Sequence, residues 1–229
     1  MSIKKIRTLH ISFDAPISPY QISVFRGAII EKAGRENILF HNHIDDDKFV
    51  YKYPLIQYKV VRKQPSIFCL DAGVDEIHHL FQKKSWNINL SGNPVELKVD
   101  RLDLKTVTLN VWDKSFDYTI INWQALNEKN YPAYIKMVSF EEKAQLLQRV
   151  LTGNILSFAK GLDWHIDQPI KIQIHEIRNE QLRKMKGIHV GALDVAFSCN
   201  VFLPNFIGLG KGVSTGFGIV KQVKNIDEY

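Results

Sequence analysis

Cysteine is almost missing from these 229 residues, with Cys69 and Cys199 the only two. A single distant pair cannot staple a small secreted scaffold, and it is the usage of a reducing compartment. Long apolar runs are missing as well, since no stretch approaches the roughly 18 uninterrupted apolar residues of a membrane span. The opening MSIKKIRTLHISF interleaves its apolar positions with Lys5, Arg7 and His10, so no signal-peptide block is expected there. These absences predict a soluble protein of the cytoplasm without a membrane partner. With 45% hydrophobic and 24% charged residues, the composition excludes collagen-like and disordered chains. The length suits one large domain or two small ones.

The chain does carry an excess of cations, 30 Lys and Arg against 24 Asp and Glu, for a formal charge of +6. The excess is unevenly spread. Lys48, Lys52, Lys59, Arg62 and Lys63 follow one another without an intervening carboxylate, and Arg178, Arg183, Lys184 and Lys186 crowd a second segment. Such patches suit a polyanion, because each neutralised phosphate releases counterions, although a solvated strand face and a charged loop have the same composition. Tyr51, Tyr53 and Tyr58 are interleaved with the first patch, a pattern that would put rings and cations on one RNA-binding surface.

Periodicity organises the rest. Ile6 to Phe13 alternates as a strand, and after Pro16 and Ser18-Pro19 a helix is expected from Tyr20 to Lys32, with Ile22, Phe25 and Ile29 on one stripe. Gly34 stops it, and a loop holding His41, His43 and Asp45 to Asp47 leads to a strand from Leu55 to Arg62. Pro65 is expected to separate that strand from the next, Ile67 to Leu70. A helix from Val74 to Lys83 and a pair of runs, Trp86 to Val99 and Lys105 to Trp112, complete a βαββαβ order, that of ferredoxin-like folds. A second copy is expected to follow. Tyr118 to Trp123 alternates, Ser139 and Glu142 spell a capping box, and Leu147, Leu151, Ile155 and Phe158 stripe a helix that Gly153 could break. Strands Ile170 to Ile177 and Val190 to Leu203 are expected to be joined by a basic loop, Arg178 to Lys186, before a last strand from Phe217 to Val223. No amphipathic helix precedes that strand. The expected architecture is α+β, two tandem ferredoxin-like (RRM-like) domains over residues 1–113 and 114–229, the second modified by a glycine-rich loop.

That loop reads Gly208-Leu209-Gly210-Lys211-Gly212-Val213-Ser214-Thr215-Gly216-Phe217-Gly218, five glycines in eleven residues. Glycine lets backbone amides approach a phosphate closely. No Gly-Lys-Ser/Thr closes a P-loop and position 213 carries no glycine, so a nucleotide cofactor is not expected. The spacing glycine, hydrophobic, glycine, five residues, glycine, hydrophobic, glycine resembles the signature of the CRISPR repeat-processing endoribonucleases of the RAMP superfamily. Gly208, Leu209, Gly210, Gly216, Phe217 and Gly218 match it, near the end of a tandem ferredoxin-like chain.

The resemblance implies binding of CRISPR repeat RNA and one metal-independent cut per repeat, with the RNA's own 2′-hydroxyl as nucleophile. No cofactor is implied. A base, an acid and a donor for the phosphorane charge are then required. In the family the catalytic histidine commonly lies just after the first helix, where this chain offers His41 and His43, and the family pattern does not choose between them. His43 is preferred because it lies nearer the cations that begin at Lys48. Lys52 is the candidate for stabilising phosphate charge and Tyr20 for orienting it. Gly208, Gly210, Lys211, Gly212, Ser214, Thr215, Gly216 and Gly218, with Arg183, Lys184 and Lys186, are the candidate RNA contacts. Other CRISPR effector subunits and a second copy of the chain are further expected partners. The competing readings are a non-catalytic RNA-binding subunit of an effector complex, a generic ferredoxin-like interaction protein in which the glycines are turns, and a divalent metal held by His41, His43 and Asp45 or Asp47.

Overall fold

The structure, a computed structural model, describes residues 3–15, 17–41, 43–45, 48–49, 53–128, 130–185 and 188–223, with backbone alone at 43–45, 48–49, 181–185 and 188–190. Lys52, Asp47 and Lys186 lie outside the described residues. Two compact units form. One comprises Lys5–Val107 with Ser214–Gly216, and the other Met1–Lys4, Thr108–Val213 and Phe217–Tyr229.

In the first unit, β1 (Lys4–Phe13) sends Leu9, Ile11 and Phe13 into the core while Thr8, His10 and Ser12 take the opposite face. A 3-10 turn, Pro19–Gln21, starts on a capping box: Ser18 Oγ accepts from Tyr20 N, and Gln21 Oε1 accepts from Ser18 N at 2.9 Å. It feeds α1 (Ile22–Ala33), which buries Ile22, Phe25, Ile29 and Ala33 at helical spacing, and Gly34 ends it at φ 113°. After a second 3-10 turn, Ile38–Phe40, come the short pair β2 (His43–Asp45) and β3 (Lys48–Phe49). Then follow β4 (Ile56–Val61), β5 (Gln64–Leu70), α2 (Ala72–Glu76), α3 (His78–Phe81), the hairpin β6 (Asn87–Leu90) and β7 (Asn93–Glu96), and β8 (Val99–Leu109). The main sheet runs β4-β5-β1-β8.

Three expectations are corrected here. Pro65 lies inside β5, not between strands, because Arg62 and Lys63 at φ 52° and 66° make a tight two-residue turn. Val61 and Gln64 close that hairpin, so the next pair, Val60 with Pro65, falls where no N–H is needed. The helix expected over Val74 to Lys83 is two short helices. The two runs expected after it resolve into the β6–β7 hairpin, turned at Ser91-Gly92 with positive φ at both, followed by one long strand.

In the second unit, β9 (Val111–Trp123) precedes α4 (Tyr131–Tyr134) and α5 (Phe140–Gly161), and then β10 (Ile172–Met185), β11 (Ile188–Val201) and β12 (Ile219–Gln222). Ser139 caps α5, its hydroxyl accepting from Glu142 N at 3.2 Å. Leu147, Leu151, Ile155 and Phe158 are fully buried, each burial worth about 1.5–3 kcal/mol. That stripe carries the helix through Gly153 without a break. The sheet runs β10-β11-β9-β12, antiparallel throughout. Counted in chain order within each unit, both sheets therefore have the order 2-3-1-4, the repeated ferredoxin-like arrangement. The segment expected as a basic loop is strand instead. β10 stays paired with β11 out to Met185 and Ile188, and the polar composition of this extension concealed it because backbone pairing asks for no apolar alternation.

Candidate functional site

The segment carrying His41 and His43 leaves the end of the 3-10 turn Ile38–Phe40, where carbonyls lack partners within the turn. Two side chains from other elements supply them. The Tyr58 hydroxyl on β4 donates to the Phe40 carbonyl at 3.0 Å, and Arg26 Nη2 on α1 donates to the His41 carbonyl at 2.8 Å. The His41 ring lies against the Arg35 carbonyl with Nε2 at 2.7 Å. Since a carbonyl only accepts, Nε2 carries the proton in that bond. His43 opens β2, paired with Phe49. Tyr20 stands 81% exposed at the start of the helical segment.

Sequence reasoning missed Arg26 and took Tyr58 for a surface ring. Tyr58 is fully buried, edge-on to Phe25 with ring centroids 6.1 Å apart. The available signal was the alternation Ile56, Tyr58, Val60, which puts the tyrosine on the apolar face of its strand, where a buried phenol needs a partner for its O–H. Desolvation drives its pKa far above the usual phenol value. Lys59, counted in the basic patch, is also fully buried, its Nζ donating to Gln57 Oε1 at 2.8 Å, and burial lowers its pKa to about 7. It therefore cannot meet RNA on an exposed strand face.

Lys59 has a consequence for stability. A cation whose pKa is lowered on folding binds fewer protons folded than unfolded between the two values, so its cost is full below about pH 7 and shrinks as pH rises toward 10.5. Urea midpoints should rise across this window in the parent, and Lys59→Met should flatten the rise.

The glycine loop is anchored by its own packing in the second unit. Leu209, Val213 and Ile207 are buried, and Leu209 N donates to the Gly218 carbonyl at 2.9 Å while Gly218 N donates to Asn122 O at 3.0 Å. A Cβ on Gly210 would come within 2.9 Å of the Trp123 indole nitrogen, which itself donates to Asn154 Oδ1 at 2.9 Å. A Cβ on Gly218 would collide with the Leu209 carbonyl. Lys211 is exposed at the turn. The tip, Ser214–Gly216, belongs to the first unit. There Tyr58 N donates to the Ser214 carbonyl at 3.3 Å, and Thr215 bridges Tyr58 in parallel. A Cβ on Gly216 would lie 3.8 Å from Ile22, two residues beyond Tyr20.

These positions predict a graded response. Gly216→Ala meets only ordinary contacts but holds φ at 82°, costing about 1–2 kcal/mol, whereas Gly218→Ala adds a backbone collision to its φ of 63° and should cost more. Urea unfolding of the two variants checks the order.

The structure thus brings Phe40 and the glycine-loop tip onto Tyr58 within one unit, with His41 the next residue along and held by Arg26. Arg183 and Lys184 lie on β10, opposite Val190 and His189. Among the described residues no group of three or more His, Cys, Asp or Glu is arranged to hold a metal, while His43 and Asp45 are described by backbone alone. Also among the described residues, no helix is long and apolar enough to cross a membrane.

Models of the Cas6b N-terminal and C-terminal domains match residues 4–108 and 110–223. The chain belongs to the Cas6b family. The resemblance carried by the glycine spacing is borne out, and the tandem fold with it. A crystal structure of Cas6b superposes with a TM-score of 0.84 at 28% identity, covering 96% of this chain and 100% of that one. A second Cas6b crystal structure, of a CRISPR RNA processing endoribonuclease, gives 0.71 at 26% identity over the same shares. A protein of Methanocaldococcus jannaschii described as uncharacterised is 34% identical over 138 residues, 60% of this chain and 92% of its own length. The break between the two Cas6b domain matches falls at residue 109, beside the Asn110 junction of β8 and β9.

Proposed function

We propose that this chain binds the repeat segment of CRISPR precursor RNA and cleaves it once per repeat by metal-independent transesterification. The 2′-hydroxyl attacks the adjacent phosphate, the bond to the 5′-oxygen breaks, and a 2′,3′-cyclic phosphate and a 5′-hydroxyl remain. His43 moves a proton at the 2′-hydroxyl or the leaving oxygen, with His41 as its partner or substitute. Lys52 offsets charge on the phosphorane, and Tyr20, exposed at the start of the first helical segment, orients the phosphate. The observation that carries this reading is the union of two segments on Tyr58: the backbone entering His43 and the glycine-loop tip. A phosphate held at the tip would then meet proton-transfer groups of the same unit. The His41 tether to Arg35 supports His43 as the principal group, because Nε2 of His41 is already committed as a donor. Gly208, Gly210, Gly212, Lys211 and the β10 cations extend the RNA contact in the second unit.

Incubation of the purified protein with its CRISPR repeat RNA in EDTA, followed by end-group analysis, tests substrate class and mechanism together. A cyclic phosphate and a 5′-hydroxyl at one site per repeat are expected. Tight binding without a cut would mark a non-catalytic subunit, and a cut abolished by EDTA would return the metal reading.

A further inference from the structure

Arg26 and Tyr58 carry no role in the reaction proposed above, yet both reach the same short stretch of backbone. The Phe40 and His41 carbonyls are consecutive, lie at the end of a one-turn 3-10 helix, and precede His43 by three and two residues. Each is taken by a side chain from a different element, one on α1 and one on β4. Tyr58 is buried and locked edge-on against Phe25 of α1, so its hydroxyl has little freedom to move. Arg26 is half-buried, and its Nε meets no hydrogen-bond partner among the described residues. A guanidinium placed this way gives up hydration, which is costly unless the site uses its direction. The guanidinium is turned instead to the loop, where its Nη2 donates to the His41 carbonyl. The backbone of Tyr58 simultaneously holds Ser214 of the glycine-loop tip.

Resting on the Proposed function, we infer that Arg26 and Tyr58 are positioning residues: they clamp the backbone that presents His43, and Tyr58 sets it in register with the RNA-holding tip. Proton transfer requires a heavy-atom distance of about 3 Å, and a displacement of about 1 Å can cost about a hundredfold in rate. Loss of either clamp bond should therefore slow the cut without loosening the RNA.

Tyr58→Phe and Arg26→Gln, with Arg26→Lys as the conservative variant, are to be compared with the parent. The readouts are single-turnover cleavage of repeat RNA in EDTA, affinity for a repeat carrying a 2′-deoxy nucleotide at the cut, and amide hydrogen exchange of residues 38–45. Tyr58→Phe and Arg26→Gln should cleave about ten- to a hundredfold more slowly with affinity within about twofold, exchange should quicken over 38–45, and Arg26→Lys should recover part of the rate. The decisive arm repeats both substitutions in a His43→Ala background, where their effect on the residual rate should vanish if they act through His43. Full losses persisting in that background, or affinity falling in step with rate, would overturn the clamp while leaving the endoribonuclease standing. Unchanged cleavage by both variants would do the same. A parent that fails to cut repeat RNA would instead overturn the function and the clamp together. Should Tyr58→Phe fail to fold, the Arg26 pair decides alone, because the half-buried guanidinium is the less demanding site.

Discussion

Replacing His43 by alanine is expected to slow single-turnover cleavage of CRISPR repeat RNA at least a hundredfold while binding stays nearly intact. Losing one general acid or base typically costs about 10²- to 10⁴-fold, and a neutral imidazole adds little to phosphate affinity. His41→Ala should cost less, since the bond from its Nε2 to the Arg35 carbonyl makes it a brace of the same loop. The double substitution should approach the uncatalysed rate. Rates of the three variants in EDTA, set beside affinities for an uncleavable repeat, separate proton transfer from binding. Parent-like cleavage by the double variant would remove both histidines from the reaction and move the site off this loop.

The parts of the molecule that were legible in sequence are those where one physical rule acts over many neighbouring residues. The α5 stripe, the β1 alternation and the stop at Gly34 were of this kind, and so was the glycine spacing, which led directly to the family. The parts that were not legible depend on residues far apart in the chain. Ser214–Gly216 pair with Tyr58 across a sequence gap that no local pattern spans, so the glycine loop could not be divided between the two units in advance. The glycines themselves were read as room for a ligand. In the structure Gly210 and Gly218 also make room for Trp123 and the Leu209 carbonyl, a packing demand that sequence does not distinguish from phosphate binding. Burial misled in the same way at Tyr58 and Lys59. A cation next to tyrosines on a strand looks like a nucleic-acid surface until the packed fold shows which face is covered. The β10 extension was missed because its pairing is carried by backbone hydrogen bonds, which leave no signature in side-chain type.

Substituting the cations of the β10 extension and the glycine turn should produce the second large effect, this time on binding. Arg183 and Lys184 sit on β10, and Lys211 is exposed on the glycine turn, in the same compact unit. A cation that neutralises one phosphate of a single strand contributes about 0.7 to the slope of log affinity against log salt. Lys184→Ala or Lys211→Ala should each lower the slope by up to about one unit, and the triple substitution Arg183→Ala, Lys184→Ala, Lys211→Ala by about two. Because the released counterions drive binding most strongly in dilute salt, the triple variant should lose affinity most there, and its binding curves should converge on the parent's as salt rises. Cleavage of RNA already bound, measured at saturating protein, should be unaffected, since none of the three lies on the His43 loop. Repeat affinity measured at four or five salt concentrations gives the slope directly. An unaltered slope in the triple variant would take the phosphates away from β10 and the glycine turn, leaving the tip at Ser214–Gly216 and the first unit to hold the RNA. A lowered slope accompanied by slower cleavage at saturation would mean that these cations also set the position of the scissile phosphate.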